Sequence, residues 1–254
     1  MITAVIITVS LQASRTPGAA LTALSGRPAV EIMIERARRT PAADLVALAV
    51  PSGEAEDPLA EAALDAGALV VRPSSPDVAE GVALAAEEAG AQRIVHVDGV
   101  QPFFDSSIAG GVLALLADSG ADIATNAAPA LFPDGLDCEA FEVSLLAIEP
   151  ANREARRFVD RLTGVRLANL RGPGGGLEHL RWRLEGAADI AFAQAVHAAL
   201  GPAASTAIAA EIAGLCLRRG DIAEMNTALV DQARLIGRDL GAVQTRPVSF
   251  MRAA

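Results

Sequence analysis

Apolar positions along the first half of the chain fall into two alternating patterns. Short β-branched runs at residues 5–9, 45–50, 68–71 and 93–97 have the length and continuity of buried strands. Between them, Ala- and Leu-rich stretches at 28–39, 59–66, 78–89 and 106–118 repeat with helical spacing, and Pro28 suits a first helical turn. Strand and helix in strict alternation imply an α/β fold with a doubly wound, mostly parallel sheet, whose ligands bind beyond the carboxyl ends of the strands. Function is therefore expected in the loops after Val9 and Val97. After residues 122–126 the pattern changes. Residues 132–141 are turn-rich and read as an inserted hairpin or lobe, 179–184 alternate like a strand, and helices fill the last quarter. The Gly-rich run 172–176 has no strand before it and no helix after it, so it reads as a flexible connection rather than a phosphate cradle. These patterns predict one domain over 1–254, with a lobe at about 127–180 and C-terminal helices at about 187–240.

Composition narrows the picture. With 254 residues, 52% of them hydrophobic, the chain can bury the core of one large domain. Aromatics are scarce and Lys and Tyr are absent, so Ala, Val, Leu and Ile must pack the core, which favours close contact of helices with the sheet. A formal net charge of -10 without any basic block argues against a nucleic-acid surface. Cys138 and Cys216 lack metal or redox spacing and read as reduced and structural. The apolar N-terminus has no basic region ahead of it, and the uncharged stretch 190–210 is broken by Gly201 and Pro202. No membrane association and a cytoplasmic location are expected.

Three segments, in order, carry a family likeness. They are Ser14-Arg15-Thr16-Pro17-Gly18 with Leu21, Gly26, Pro28 and Arg36; Phe132-Pro-Asp-Gly-Leu-Asp-Cys-Glu-Ala-Phe141; and His179-Leu-Arg-Trp182 with Leu184 and Asp189. Asp221 to Asn226 extends the match toward the C-terminus. Together they resemble the spore coat polysaccharide biosynthesis cytidylyltransferases, relatives of the enzymes that make CMP-sialic acid and CMP-Kdo. The resemblance implies a nucleotide-diphospho-sugar transferase (GT-A-like) fold, transfer of CMP from CTP to a sugar or sugar acid, Mg²⁺ as cofactor, and a homodimer paired through the inserted lobe.

The same resemblance assigns roles. Ser10, Gln12, Ser14, Arg15 and Gly18 would hold the nucleotide, Asp98 and Glu185 would hold Mg²⁺, and Asp134, Asp137, Glu139 and Arg181 would face the sugar. Arg15 and Asp98 would be catalytic. A triphosphate gathers negative charge that amides and guanidinium groups must offset as pyrophosphate leaves. The chain departs from the family where Ser10 and Ala19 replace an Arg and a Lys, Val100 a metal Asp, His96 an Arg, and Gly81 an Arg. Asp98 lies near Val100 and resembles the Asp-Gly metal position of methylerythritol-phosphate cytidylyltransferases, while Asp98 beside Gly99 also reads as a turn residue. His96 reads as a hydrogen-bonded strand histidine. Two functions stay open: a cytidylyltransferase, and a non-catalytic paralogue serving as a binding or assembly subunit. A glycosyltransferase is weaker, because no Asp-x-Asp ends a strand.

Overall fold

A computed structural model describes residues 1–12, 15–148, 150 and 152–230, together with the backbone of 244–247. Ser14 and the predicted helical residues 231–240 lie outside the described residues. The first apolar run forms β1 (Thr3–Thr8). A short antiparallel pair, β2 (Ala23–Leu24) and β3 (Arg27–Pro28), leads into α1 (Ala29–Ala37). The alternation continues through β4 (Leu45–Ala49), α2 (Asp57–Asp65), β5 (Leu69–Val71), α3 (Val78–Glu88), β6 (Arg93–Asp98) and α4 (Ser106–Ser119). All four predicted strands and all four predicted helices form, with ends shifted by a residue or two.

β1 lies between β4 and β6, parallel to both, so that Ile6 pairs with Ala47 and His96, and Thr8 with Ala49 and Asp98. Strand periodicity sends Val5, Ile7, Val46, Leu48, Val95 and Val97 to one face, under α1, α2 and α4. Ala4, Ile6, Ala47, Ala49 and Ile94 face the other side, under α3. The alanines on that side let α3 approach so closely that a Cβ on Gly81 would lie 2.9 Å from the Ala49 Cβ.

Beyond α4 the chain adds β7 (Ile123–Thr125), β8 (Glu139–Glu142), β9 (Leu167–Arg171) and β10 (Gln244–Pro247). Among the described residues the central sheet has eight strands, in the order β10-β9-β7-β8-β6-β1-β4-β5. Only β8 runs against its neighbours, inserted between β6 and β7. Residues 127–180 contribute β8 and β9 to the sheet. A short helix, α5 (Phe158–Arg161), packs Phe158 and Val159 on the α3 face. On the opposite face lie α6 (Ala187–Leu200), α7 (Ala209–Arg218) and α8 (Gly220–Ala223). Asp105 caps α4 through the amides of Ser107 and Ile108, and its second oxygen accepts from the Ala209 amide at 2.7 Å, which ties α7 to α4.

Residues 179–184 do not form the expected sheet strand. They follow a 3-10 turn at Leu177–His179 and touch 134 through a single bridge, Asp134 to Arg181. Among the described residues no helix is long and apolar enough to cross a membrane, and both cysteines are free and buried.

Candidate active site

The loop after β1 runs along the carboxyl ends of the strands. Two of its amides are already satisfied: the Glu56 carboxylate, 4% exposed, accepts from the Ser10 hydroxyl at 2.6 Å, the Leu11 amide at 2.7 Å and the Gln12 amide at 3.1 Å. An internal carboxylate thus takes the first donors of this loop. Gln12 is exposed, and Gly18 adopts a left-handed conformation (φ 78°) at the start of a 3-10 turn. Arg15 points at the cleft, with its Nη1 3.9 Å from Glu185 Oε2, although its side chain is 80% exposed.

Two adjoining hollows open here. The smaller, about 70 Å³, is lined by Thr8, Val9, Ser10, Ala49, Gly81 and Val100 together with the 73–78 turn. The larger, about 540 Å³, brings Arg15, Arg156, Arg157, Arg181 and Arg183 against Asp98, Asp134, Asp137, Glu139 and Glu185. Asp98 and Arg156 line both, joined at 3.1 Å, so this ion pair marks the junction. Of the residues anticipated from sequence, Ser10 borders the smaller hollow and Arg15, Asp134, Asp137, Glu139, Arg181 and Glu185 converge on the larger, with Asp98 common to both.

Within the larger cavity the charges interlock. Arg181 reaches Asp134 at 2.8 Å, Asp189 at 2.9 Å and Glu185 at 2.9 Å. Arg183 Nη2 donates to Asp98 Oδ2 at 2.7 Å and to Glu185 Oε1 at 3.0 Å. Burial would raise the Glu185 carboxyl, but Arg183 and Arg181 outweigh it and bring it down to about 2. Burial works against the charge on Arg183, yet the carboxylates of Asp98, Asp134 and Glu185 hold its guanidinium more firmly protonated than usual. Asp137 faces Arg157 at 3.8 Å.

Glu139 turns inward. Its carboxylate, 2% exposed, accepts from the Phe158 and Val159 amides at 2.6 and 2.9 Å and meets His96 Nδ1 at 2.9 Å. The other imidazole nitrogen lies 3.0 Å from the Thr8 hydroxyl. His96 is thus hydrogen-bonded at both ring nitrogens, and Glu139, in the wall of the cavity, commits its carboxylate to α5 and His96.

Sequence reasoning did not single out Glu56, Arg156, Arg157 or Arg183. Arg183 carried a signal: in the alternating reading it shares a face with Arg181 and Glu185. Arg156 and Arg157 come from an irregular segment with no pattern to flag them.

A resident Mg²⁺ fits this donor set poorly. Mg²⁺ needs near-octahedral oxygens at about 2.0–2.1 Å. Asp98 and Glu185 are close enough to share one nitrogen, but that nitrogen belongs to Arg183, and an ion taking both oxygens would have to expel it. Among the described residues no three His, Cys, Asp or Glu side chains converge to hold a metal.

Among the described residues, the sheet order with its single antiparallel strand defines a nucleotide-diphospho-sugar transferase-like fold. The cytidylyltransferase family profile matches residues 4–134, just over half of the chain, and the chain belongs to that family. A 3-deoxy-manno-octulosonate cytidylyltransferase of Anaeromyxobacter dehalogenans (strain 2CP-1 / ATCC BAA-258) is 33% identical over 130 residues, 50% of this chain and 51% of the relative. The chain thus matches about half the length of this curated relative. Among solved structures, a cytidylyltransferase from Leptospira borgpetersenii serovar Hardjo-bovis (strain JB197) superposes with a TM-score of 0.80 at 19% identity, covering 88% of this chain and 97% of its own. A nucleotidyl transferase from Methanothermobacter thermautotroptrophicus gives 0.59 at 14% identity, covering 79% and 99%. At these identities the structures speak to the fold alone.

Proposed function

We propose that the chain transfers CMP from CTP to a hydroxyl group of a sugar or sugar acid, releasing pyrophosphate. The observation that carries this reading is the two-part cleft at the ends of β1, β4 and β6, whose halves meet at the Asp98–Arg156 pair beside a cavity lined by interlocked arginines and carboxylates. The nucleoside would lie across the open mouth of the smaller hollow, beside Thr8, Ser10 and Gly81, with only part of it inside. The acceptor would occupy the larger one, where Arg15 and Arg157 favour an anionic sugar. At the junction, Arg156 and Arg183 would offset charge on the α-phosphate as the acceptor oxygen bonds to phosphorus and gives up its hydroxyl proton to solvent, and the bond to the bridging β-phosphate oxygen breaks, its electron pair leaving with pyrophosphate. Surface-polysaccharide synthesis, a cytoplasmic location and pairing of two copies through 127–180 belong to the same proposal.

Mg²⁺ enters as a companion of the incoming triphosphate, which it would partly neutralise. A pyrophosphate-release assay with CTP and a panel of sugar acids tests the reading. Turnover is expected, and Arg156→Ala should lower kcat about 10²-fold, the scale of losing one group that stabilises developing charge.

One observation favours a second reading. Glu56 holds the loop amides and Arg183 holds Asp98 and Glu185, so the site is neutralised from within. A binding or assembly subunit would keep such an arrangement. Thermal stabilisation by CTP with no pyrophosphate from any acceptor would select it.

A further inference from the structure

Two carboxylates that converge at the end of a sheet strand ordinarily wait for a cation, and here the chain supplies one. Asp98 ends β6, and Glu185 follows the 181–184 stretch; their side chains are 17% and 13% exposed. Arg183 Nη2 sits between them, and its Nη1 lies 3.8 Å from Asp134, so one guanidinium faces three carboxylates. The backbone roots it firmly: the neighbouring Trp182 side chain is fully buried, and the Leu184 amide donates to the Val100 carbonyl at 2.8 Å. The remaining Glu185 oxygen accepts from Arg181 at 2.9 Å, and Asp98 Oδ2 accepts a second bond from Arg156 at 3.1 Å.

We infer that Arg183 is the resident cation of this cleft, standing where a divalent ion would bridge Asp98 and Glu185, so that the protein holds no metal ion of its own at this position. Arg183 and Arg156 together carry the two positive charges of such an ion. They also offer what an ion lacks: planar N–H donors in a fork that matches the oxygens of a phosphate as well as those of a carboxylate. A phosphate entering the junction would draw donors from the two guanidinium groups, while Asp98 and Glu185 keep them aimed. The metal half of this inference stands on geometry alone. The phosphate half rests on the proposed nucleotide reading.

The test titrates Mn²⁺ alone, without nucleotide, into the full chain, following free metal by electron paramagnetic resonance and stability by thermal unfolding. The wild type is expected to show no site that depends on Asp98 and no rise in Tm. In Arg183→Gln the two carboxylates lose their shared guanidinium, and saturating Mn²⁺ should raise Tm by about 5 °C, the scale of a ligand binding only the native state. Stoichiometric Mn²⁺ binding by the wild type that Asp98→Asn abolishes would overturn the inference. So would a folded Arg183→Gln variant that gains no Mn²⁺ site, because the carboxylates would then not define an ion position. If Arg183→Gln fails to fold, the comparison of wild type with Asp98→Asn decides alone. CTP titrated in EDTA separates the two halves: absence of CTP binding under every condition counts against the nucleotide reading and leaves the metal result standing.

Discussion

At the scale of single residues, Glu56 fixes the opening loop from 44 to 46 positions away. Its carboxylate accepts from a hydroxyl and two amides while nearly excluded from water. Glu56→Ala would leave the buried Leu11 amide unsatisfied and should cost about 2 kcal/mol in urea unfolding. His197 carries a pH effect. Burial, with Arg36 adding to it, lowers the imidazole from 6.5 to about 4. Between these values the unfolded chain binds a proton that the folded chain refuses, so stability rises with pH across that window. It is fully present above 6.5 and is lost as pH falls toward 4. His197→Gln should flatten that slope when unfolding midpoints are compared across the window. Neither role was visible in sequence. Glu56 sits in an acidic run that looks like a solvated turn, and its burial depends on a loop distant in the chain. Arg183 was nearer to legible, because its parity with Arg181 and Glu185 does not depend on whether the segment joins a sheet.

At the scale of elements, the first half of the chain was readable because β1, β4 and β6 are largely apolar runs buried on both faces, with the shorter β5 at the sheet edge. β8 and β9 were not. β8, Glu-Ala-Phe-Glu, has a carboxylate at either end, and its Glu139 faces His96 and the α5 amides rather than solvent. The 179–184 segment misled in the opposite direction: Arg181 and Arg183 alternate because they face the carboxylates of the cavity, while His179 is exposed. Two glycines set how closely these pieces approach. Gly135 has φ 112°, and a Cβ there would lie 2.6 Å from the Trp182 carbonyl carbon, so the 132–138 turn can rest on 181–183 only without a side chain. Gly135→Ala should lower Tm by about 8 °C. Gly81 stands where the resemblance calls for an Arg, yet a side chain there must first push α3 off Ala49. Gly81→Arg should therefore lower the melting temperature measured by calorimetry instead of restoring a family contact.

Across the whole molecule, the family-matched residues 4–134 supply the lining of the smaller hollow apart from Arg156, while Arg156, Arg157, Arg181, Arg183 and Glu185 all come from beyond them. The fold was legible as a class from the βα alternation. The site was legible as its carboxylates with Arg15 and Arg181 and, by parity, Arg183, whereas Arg156 and Arg157 lie in an irregular segment that no pattern flags. The antiparallel placement of β8 also bears on how the chain is made. During synthesis β6 and β7 emerge with a vacant lane between them, and neither can close the sheet until residues 139–142 arrive and reverse direction into it. Until then an apolar strand edge stays open to other nascent chains. A fragment ending at residue 134 would be held permanently at that stage, and it should elute as aggregate in gel filtration where the full chain does not.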